Sequence, residues 1–346
     1  MEIKTYPIAA LEPEPVSQAR PLLYDSHGRT FTYLRVALNE TCNLRCLYCM
    51  PETGIHFRPS EELLTTQEII RIVQVAANLG VTKVRYTGGE PLLDQDLNIL
   101  VKAAVRTPGI ESVHVTTNGL HLAGKISALK RAGLAGVNVS LDTLNREKYA
   151  FITRRDKLSR ALEGLQAALD QQLRVKINVV ALRGFNDDEL PEFVEMARKQ
   201  PLTVRFIELM PFDAHQIWKT GKFYSYTHLL EDLHRLYPTL KPAEGTKTEQ
   251  SLFQLPGYCG KVAVIPAYSR SLCGTCNRIR ITADGKIRNC LYATKEYNLR
   301  TYLREGRADA DLADLMKAAM WNKPRDGWSA QKKGLPLRES MTQIGG

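Results

Sequence analysis

Three thiols stand four and three residues apart in the stretch Cys42-Asn43-Leu44-Arg45-Cys46-Leu47-Tyr48-Cys49-Met50, directly after an apolar, strand-like run. Three cysteines this close cannot all pair into disulfides, and a loop leaving a strand lets their sulfurs converge on one small object. Zinc usually takes four ligands from two separated pairs, whereas iron-sulfur clusters are held by thiolates in compact runs. The spacing therefore favours a cluster, and a cubane with three protein ligands keeps one iron open for chemistry. A second triplet, Cys273, Cys276 and Cys290, follows the pattern C-x2-C-x13-C, with two thiols in a loop and the third across a hairpin. Its sulfurs can also meet. The alternative is structural zinc, which three protein ligands make less apt, since such zinc sites are more typical of catalysis. The seventh cysteine, Cys259, belongs to neither triplet and is expected to pack as a small apolar side chain.

The elements that must position these thiols alternate regularly. Residues 32–38 read as a strand and 66–79 as an amphipathic helix, opened by a capping box over residues 65–68 and stopped at Gly80. Strands at 83–87, 112–116, 136–141, 174–180 and 203–209 follow, with helices at 94–106, ending near Gly133, at 157–169, and at 187–199 capped by Asn186. Strand-helix alternation implies a parallel sheet, and about six units fall short of the eight that close a barrel. The fold class is therefore α/β, an incomplete (βα)6, TIM-like barrel. Beyond residue 211 the alternation stops. A helix at 226–236, hairpin strands at 252–255 and 261–265, a strand at 278–282 and helices at 299–304 and 309–321 form a C-terminal α+β domain carrying the second triplet. The expected division is a lead-in over residues 1–25, a barrel core over 26–227, a C-terminal unit over 228–330 and a tail over 331–346.

In such barrels the βα loops at the strand C-termini build the active site. The cysteine loop follows the first strand, Gly88-Gly89-Glu90-Pro91 the second, Thr116-Thr117-Asn118-Gly119 the third and Ser140-Leu141-Asp142 the fourth. Met210 closes the sixth. Any one of these could be ordinary turn chemistry, but five share one rim. Arg35, Arg85 and Lys176 project from strands, where an unpaired buried charge costs several kcal/mol. A bound polyanion resolves that cost, with Arg supplying a planar fork and Lys a point charge. Internal salt bridges to Glu90, Glu208 or Asp142 are the alternative.

The balance of 47 Lys and Arg against 37 Asp and Glu gives a net charge of +10, which attracts anions generally. No basic block of five or six residues stands out, which argues against a nucleic-acid arm. No apolar run approaches a membrane span, and residues 1–15 lack a signal-peptide core. The expected address is cytoplasmic, with no membrane and no nucleic acid as partner.

The C-x3-C-x2-C run, with Tyr48 before its last cysteine, resembles the radical S-adenosylmethionine superfamily, and Gly88-Gly89-Glu90-Pro91 is similar to that superfamily's GGEP loop. The second triplet, Asn277-Arg278-Ile279-Arg280 after its second member, and the terminal Gly345-Gly346 resemble the GTP 3′,8-cyclase family of molybdenum cofactor biosynthesis. The likeness runs from about residue 22 to the end. One departure is Glu40-Thr41, where that family commonly carries an acidic-basic pair.

The resemblance implies two 4Fe-4S clusters, on Cys42, Cys46 and Cys49 and on Cys273, Cys276 and Cys290, with S-adenosyl-L-methionine at the first. Tyr48, Gly89, Ser140 and Met210 would hold S-adenosylmethionine, with the two glycines allowing close backbone approach. A 5′-deoxyadenosyl radical would take hydrogen from C3′ of GTP, and C3′ would then attack C8. Arg35, Arg85, Thr116, Lys176, Arg205, Arg278, Ile279 and Arg280 would bind GTP, with its guanine at the second cluster. Arg278, Arg280, Gly345 and Gly346 would serve catalysis, the tail threading toward the site with Ile344 as its anchor. The resemblance further implies a homodimer, a flavodoxin-like or chemical electron donor, and cyclic pyranopterin monophosphate synthase as the next enzyme. Two rivals are a peptide-modifying radical maturase, which usually carries more C-terminal cysteines, and a zinc-dependent nucleic-acid-binding module, suggested by charge alone.

Overall fold

A computed structural model of the chain describes residues 22–51, 53–210, 220–245, 248–332, 338 and 340–345. Six parallel strands, β1 (Tyr33–Ala37), β2 (Lys83–Thr87), β3 (Ser112–Thr117), β4 (Gly136–Ser140), β5 (Arg174–Ala181) and β6 (Thr203–Glu208), lie in chain order across one sheet. Helices α1 (Thr66–Asn78), α2 (Leu97–Arg106), α3 (Leu122–Arg131), α4 (Arg146–Thr153), α5 (Leu158–Asp170) and α6 (Leu190–Lys199) connect them. Strand alternation sends Leu34, Val36, Val84, Val113, Val137, Ile177 and Phe206 outward into one continuous core with the helices. Tyr33, Arg35, Lys83 and Arg85 consequently project to the opposite, barrel-interior face.

The C-terminal elements are α7 (Tyr226–Leu236), β7 (Lys241–Pro242), β8 (Ser251–Gln254), β9 (Lys261–Ile265), β10 (Arg278–Ile281), β11 (Lys286–Arg288), β12 (Tyr297–Asn298), α8 (Leu299–Arg304), α9 (Asp309–Trp321) and α10 (Gly327–Gln331). Their strands do not make a separate sheet. β9 pairs in parallel with β6 and β10 in parallel with β1, so both edges of the six-stranded core continue into one twelve-stranded sheet.

Local chemistry accounts for most boundaries. Thr65 and Glu68 form the expected reciprocal capping box of α1, and Gly80 follows that helix with φ +89°. Asn186 does not cap α6. Its amide instead ties Leu182, Asp142 and Val180 together, and a 3₁₀ turn over Asp187–Glu189 precedes the helix. Helix α2 starts three residues later than expected, because a 3₁₀ turn occupies Pro91–Leu93 and the Asp94 side chain accepts from Asp96 N. Helix α4 was not foreseen, and it matters for the site. Cys259 is exposed, contrary to the packing expected of it, because it lies in the turn between β8 and β9.

Candidate active site

The cysteine loop is held from beneath by the C-terminal end of α4. Asn145 caps that helix, accepting from Glu147 N and Lys148 N, and it ends at Arg154 with φ +55°. Its last carbonyls are then free to accept from the loop, Leu47 N to Ile152 O at 2.9 Å and Arg45 N to Thr153 O at 3.0 Å. The Arg154 guanidinium donates to the carbonyls of Arg45 and Met50, each at 3.2 Å.

From the other side, Gly88 and Gly89 pack on the backbone that leads into Cys42. A Cβ on Gly89 would lie 2.2 Å from Thr41 O, and one on Gly88 2.5 Å from Asn39 O, at φ +136°. The side left open by these glycines thus faces the chain's own backbone, which explains their need without any ligand. Glu90, next in the loop, accepts from Leu92 N, Thr117 Oγ1 and Asn118 N at 2.7 to 2.9 Å. Burial pushes its carboxyl up to about 7 despite those donors. The Asn118 amide in turn donates to Asn43 Oδ1 at 2.7 Å, tying the third βα loop to the first. Glu40 pairs with Arg58, which supplies the local ion pair that its neighbour Thr41 cannot.

These loops enclose a cavity of about 220 Å³ at the barrel rim. It brings together Cys42, Cys46, Cys49, Tyr48, Gly89, Ser140, Met210 and Thr116, with Asp142 and Glu90 in the same wall. Tyr48 donates to Asp142 Oδ2 at 2.7 Å, and Val180 N donates to Oδ1. Burial raises the Asp142 carboxyl to about 6 and pushes the Cys49 thiol up to about 12. The tail enters here. Arg338 is ion-paired to Asp284 and Glu296, Ser340 Oγ donates to Cys49 O at 2.8 Å, and Met341 and Thr342 line the cavity. Ile344 is buried, Gly345 has φ +77°, and Thr87 Oγ1 donates to its carbonyl at 3.0 Å. Gly346 lies outside the described residues.

A second constellation lies deeper. Strand register aligns Arg280, Arg35 and Arg85 across β10, β1 and β2, and two residues earlier it aligns Arg278, Tyr33 and Lys83. Like charges on directly opposed strand positions repel, so the rung of three arginines is costly for the fold alone. At about 3.3 Å of rise per residue, the lower rung sits roughly 13 Å below the Ala37–Thr87 pair at the rim. Arg85 donates to Tyr33 and, at 3.3 Å, to Thr116 Oγ1, while Arg205 forks onto Asn178 Oδ1 at 2.7 and 2.9 Å. Lys176 completes the group, and burial together with Arg205 lowers its ammonium to about 7. The Arg280 side chain, on a residue 5% exposed, makes no hydrogen bond or ion pair to any described residue, and its Nε is buried. Ile279 points the other way, into the core beside Leu34, leaving only its backbone near this group.

None of the three carboxylates considered as salt-bridge partners takes that role. Glu90 and Asp142 are bonded as above, and Glu208 accepts from Tyr226 N, Tyr268 N and Ser269. The carboxylate that does pair with this group is Glu249, 3.0 Å from Lys83 and 3.7 Å from Arg205. Lys83 was legible, since it stands two residues before Arg85 and shares its face. Glu249 sits just before β8 in a stretch without period and was not.

Cys276 lies two residues before β10, so the second triplet stands at the barrel end opposite to the first. Burial disfavours its thiolate, but Lys323, Arg278 and Arg280 outweigh that and hold the thiol at about 5. Cys273 and Cys290 are electrostatic neighbours in the same group. Among the described residues no three His, Cys, Asp or Glu side chains close on a point as ligands of a single ion would. Each triplet offers only sulfur donors, and at Cys276 the thiolate is favoured, a donor set that fits a sulfur-ligated cluster.

Residues 36–197 match the Radical SAM superfamily and residues 202–328 the Molybdenum Cofactor Synthesis C family. GTP 3′,8-cyclase of Chlorobaculum tepidum is 44% identical over 329 residues, covering 94% of this chain and 97% of that protein. Molybdenum cofactor biosynthesis protein 1 of Homo sapiens is 42% identical over 306 residues, but this chain spans only 48% of its length. Streptococcus suis SuiB, solved bound to S-adenosylmethionine, superposes with a TM-score of 0.61 at 15% identity over 86% of this chain and 66% of that one, a likeness of fold alone. No helix among the described residues is long and apolar enough to cross a membrane. Identity of this extent over nearly the full length of both chains places the protein in the GTP 3′,8-cyclase family, within the Radical SAM superfamily.

Proposed function

We propose that the chain catalyses the radical cyclisation of GTP to (8S)-3′,8-cyclo-7,8-dihydroguanosine 5′-triphosphate, the first step of molybdenum cofactor biosynthesis. The observation that carries this reading is the pair of arginine-bearing rungs stacked beneath a cysteine-lined cavity in one barrel. When bound, a 4Fe-4S cluster and S-adenosylmethionine supply one-electron cleavage of a sulfonium and a hydrogen-abstracting radical. Cys42, Cys46 and Cys49 would hold that cluster. Ser140, Met210, the Gly89 backbone and the Tyr48 backbone line the space for S-adenosylmethionine, and Tyr48 is fixed through Asp142.

Arg35, Arg85, Lys176, Arg205 and Thr116 would bind the nucleotide, and the triphosphate would neutralise their charge. Cys273, Cys276 and Cys290 would hold a second 4Fe-4S cluster at the guanine end. Arg278 and Arg280 lie between that triplet and the cavity, suited to orient the substrate and stabilise charge during ring closure, with Ile279 offering its backbone. Gly345 approaches Ala37, Thr87 and Ile281 so closely that a Cβ would meet Ala37 Cβ at 3.1 Å, which suits a tail closing the barrel mouth against water, with Gly346 beyond it. We read residues 26–227 as the radical core, 228–330 as the auxiliary-cluster unit and 331–346 as the tail. A cytoplasmic homodimer, an external electron donor and a cyclic pyranopterin monophosphate synthase as recipient complete the reading.

The test is an anaerobic assay with S-adenosylmethionine, a reductant and each nucleoside triphosphate in turn. GTP alone should be converted, with one 5′-deoxyadenosine formed per cyclised product. Cleavage of S-adenosylmethionine with no nucleotide converted would reject the substrate assignment.

A further inference from the structure

The deep constellation holds seven basic side chains, Arg35, Lys83, Arg85, Lys176, Arg205, Arg278 and Arg280, and Glu249 sits among them as an ion-paired carboxylate, 12% exposed. Its neighbours are seated on the same group. Thr248 O accepts from Arg278 Nη2 at 3.3 Å, and Gln250 Oε1 accepts from Arg205 Nη1 at 3.4 Å. Three consecutive residues therefore bridge β10, β2 and β6. The Lys83 pair is close at 3.0 Å and the Arg205 pair longer at 3.7 Å. Without any anion, so many buried like charges would repel one another with nothing to offset them.

We infer that Glu249 is a resident counterion of the polyphosphate seat, which an incoming triphosphate must displace from Lys83 and Arg205 and which returns to drive out a product bearing the same triphosphate. The inference rests on the nucleotide reading above. Substrate and product of that reaction carry identical phosphates, so a seat of unopposed cations would grip both and release neither readily. A carboxylate tethered beside the seat competes at fixed local concentration. Its repulsion also grows with ligand charge, so it tempers triphosphate binding more than phosphate binding.

Calorimetric titration of the full chain, prepared anaerobically, with GTP, inorganic tripolyphosphate, pyrophosphate and orthophosphate tests this. Glu249→Gln should bind tripolyphosphate and GTP about tenfold more tightly, with slower GTP dissociation, because an opposed like charge is gone. The gain should shrink from tripolyphosphate to orthophosphate, and Glu249→Asp should behave as wild type. Unchanged or weaker tripolyphosphate binding by a folded Glu249→Gln would overturn the inference while leaving the nucleotide reading intact. If neither GTP nor tripolyphosphate binds wild type or variant, the nucleotide reading itself fails. Hydrogen exchange on the wild-type chain gives a test that needs no variant. Tripolyphosphate should speed exchange of the residue 248–250 amides, and slowed or unaltered exchange there would overturn displacement.

Discussion

Around Cys42, Cys46 and Cys49 the buried charged groups are the carboxyls of Glu90 and Asp142, whereas around Cys276 they are Lys323, Arg278 and Arg280. Each end of the barrel offers the same three-thiol donor set. Burial drives Cys49 up to about 12 at one end, while cations draw Cys276 down to about 5 at the other. The same three-thiol set thus sits in two different electrostatic surroundings. Carboxyls suit the ammonium and sulfonium of S-adenosylmethionine, and arginines suit a polyphosphate. The two regions differ in charge along one short axis, with Thr116 of the cavity wall bonded to Arg85 of the deeper group where they meet.

The largest expected effect comes from removing one triplet at a time. Cys46→Ala should abolish both S-adenosylmethionine cleavage and GTP conversion, whereas Cys276→Ala should abolish conversion and leave reductive cleavage measurable. Iron should fall from about eight to about four per chain in either case. If Cys276→Ala also loses cleavage, the two ends are not separable and the contrast breaks.

Arg280 sharpens the contrast at smaller scale. Its guanidinium is buried, and burial and Arg278 both disfavour its charge. Arg280→Met should raise the unfolding free energy of the ligand-free chain by about 1–3 kcal/mol, since it removes a buried guanidinium that no hydrogen bond to a described residue fixes. The same variant should weaken GTP binding by at least about tenfold. Chemical denaturation and calorimetry check the two halves, and a destabilised variant would show that the arginine is held by the fold and not for a ligand.

The smallest effect is in the pH dependence of stability. Glu90, at about 7 in the folded chain against 4.5 ordinarily, binds more protons folded than unfolded between those values, so its contribution falls as pH rises through that window. Lys176, at about 7 against 10.5, binds fewer protons folded across the higher window, so its contribution rises with pH there. Thermal melts of the ligand-free chain should show a shallower acid-side slope in Glu90→Gln, with the part due to Asp142 remaining, and a shallower alkaline-side slope in Lys176→Met. Each substitution should leave the other slope in place.

Much of this was legible in the sequence because it is written in period and spacing. The six βα units follow from hydrophobic alternation and caps, and both triplets from cysteine spacing. Lys176 and Arg35 stood out as charges on strands. What escaped depends on contacts between distant segments. Helix α4 is short, and although Asn145 caps its start, it ends on an arginine at positive φ, so no glycine marked the end that seats the cysteine loop. Glu249 has meaning only once β8 folds beside the cations. The pairing of β10 with β1 joins residues about 245 positions apart, and no local pattern encodes it.

That last pairing has a consequence for the order in which the molecule becomes competent. Residues 33–208 contain every strand of the barrel core and the first cysteine loop, and contacts within them are mostly between neighbouring units. Distant pairings form late, because the entropy of closing a long loop must be met before any contact rewards it. During synthesis the rim can therefore assemble while the arginine rungs lack their third member. Arg278 and Arg280 arrive only with β10, and the tail that lies across the rim comes later still. A nascent chain can thus hold the first cysteine loop before the arginine rungs are complete, and on the reading proposed above a cluster loaded that early would meet no seated substrate.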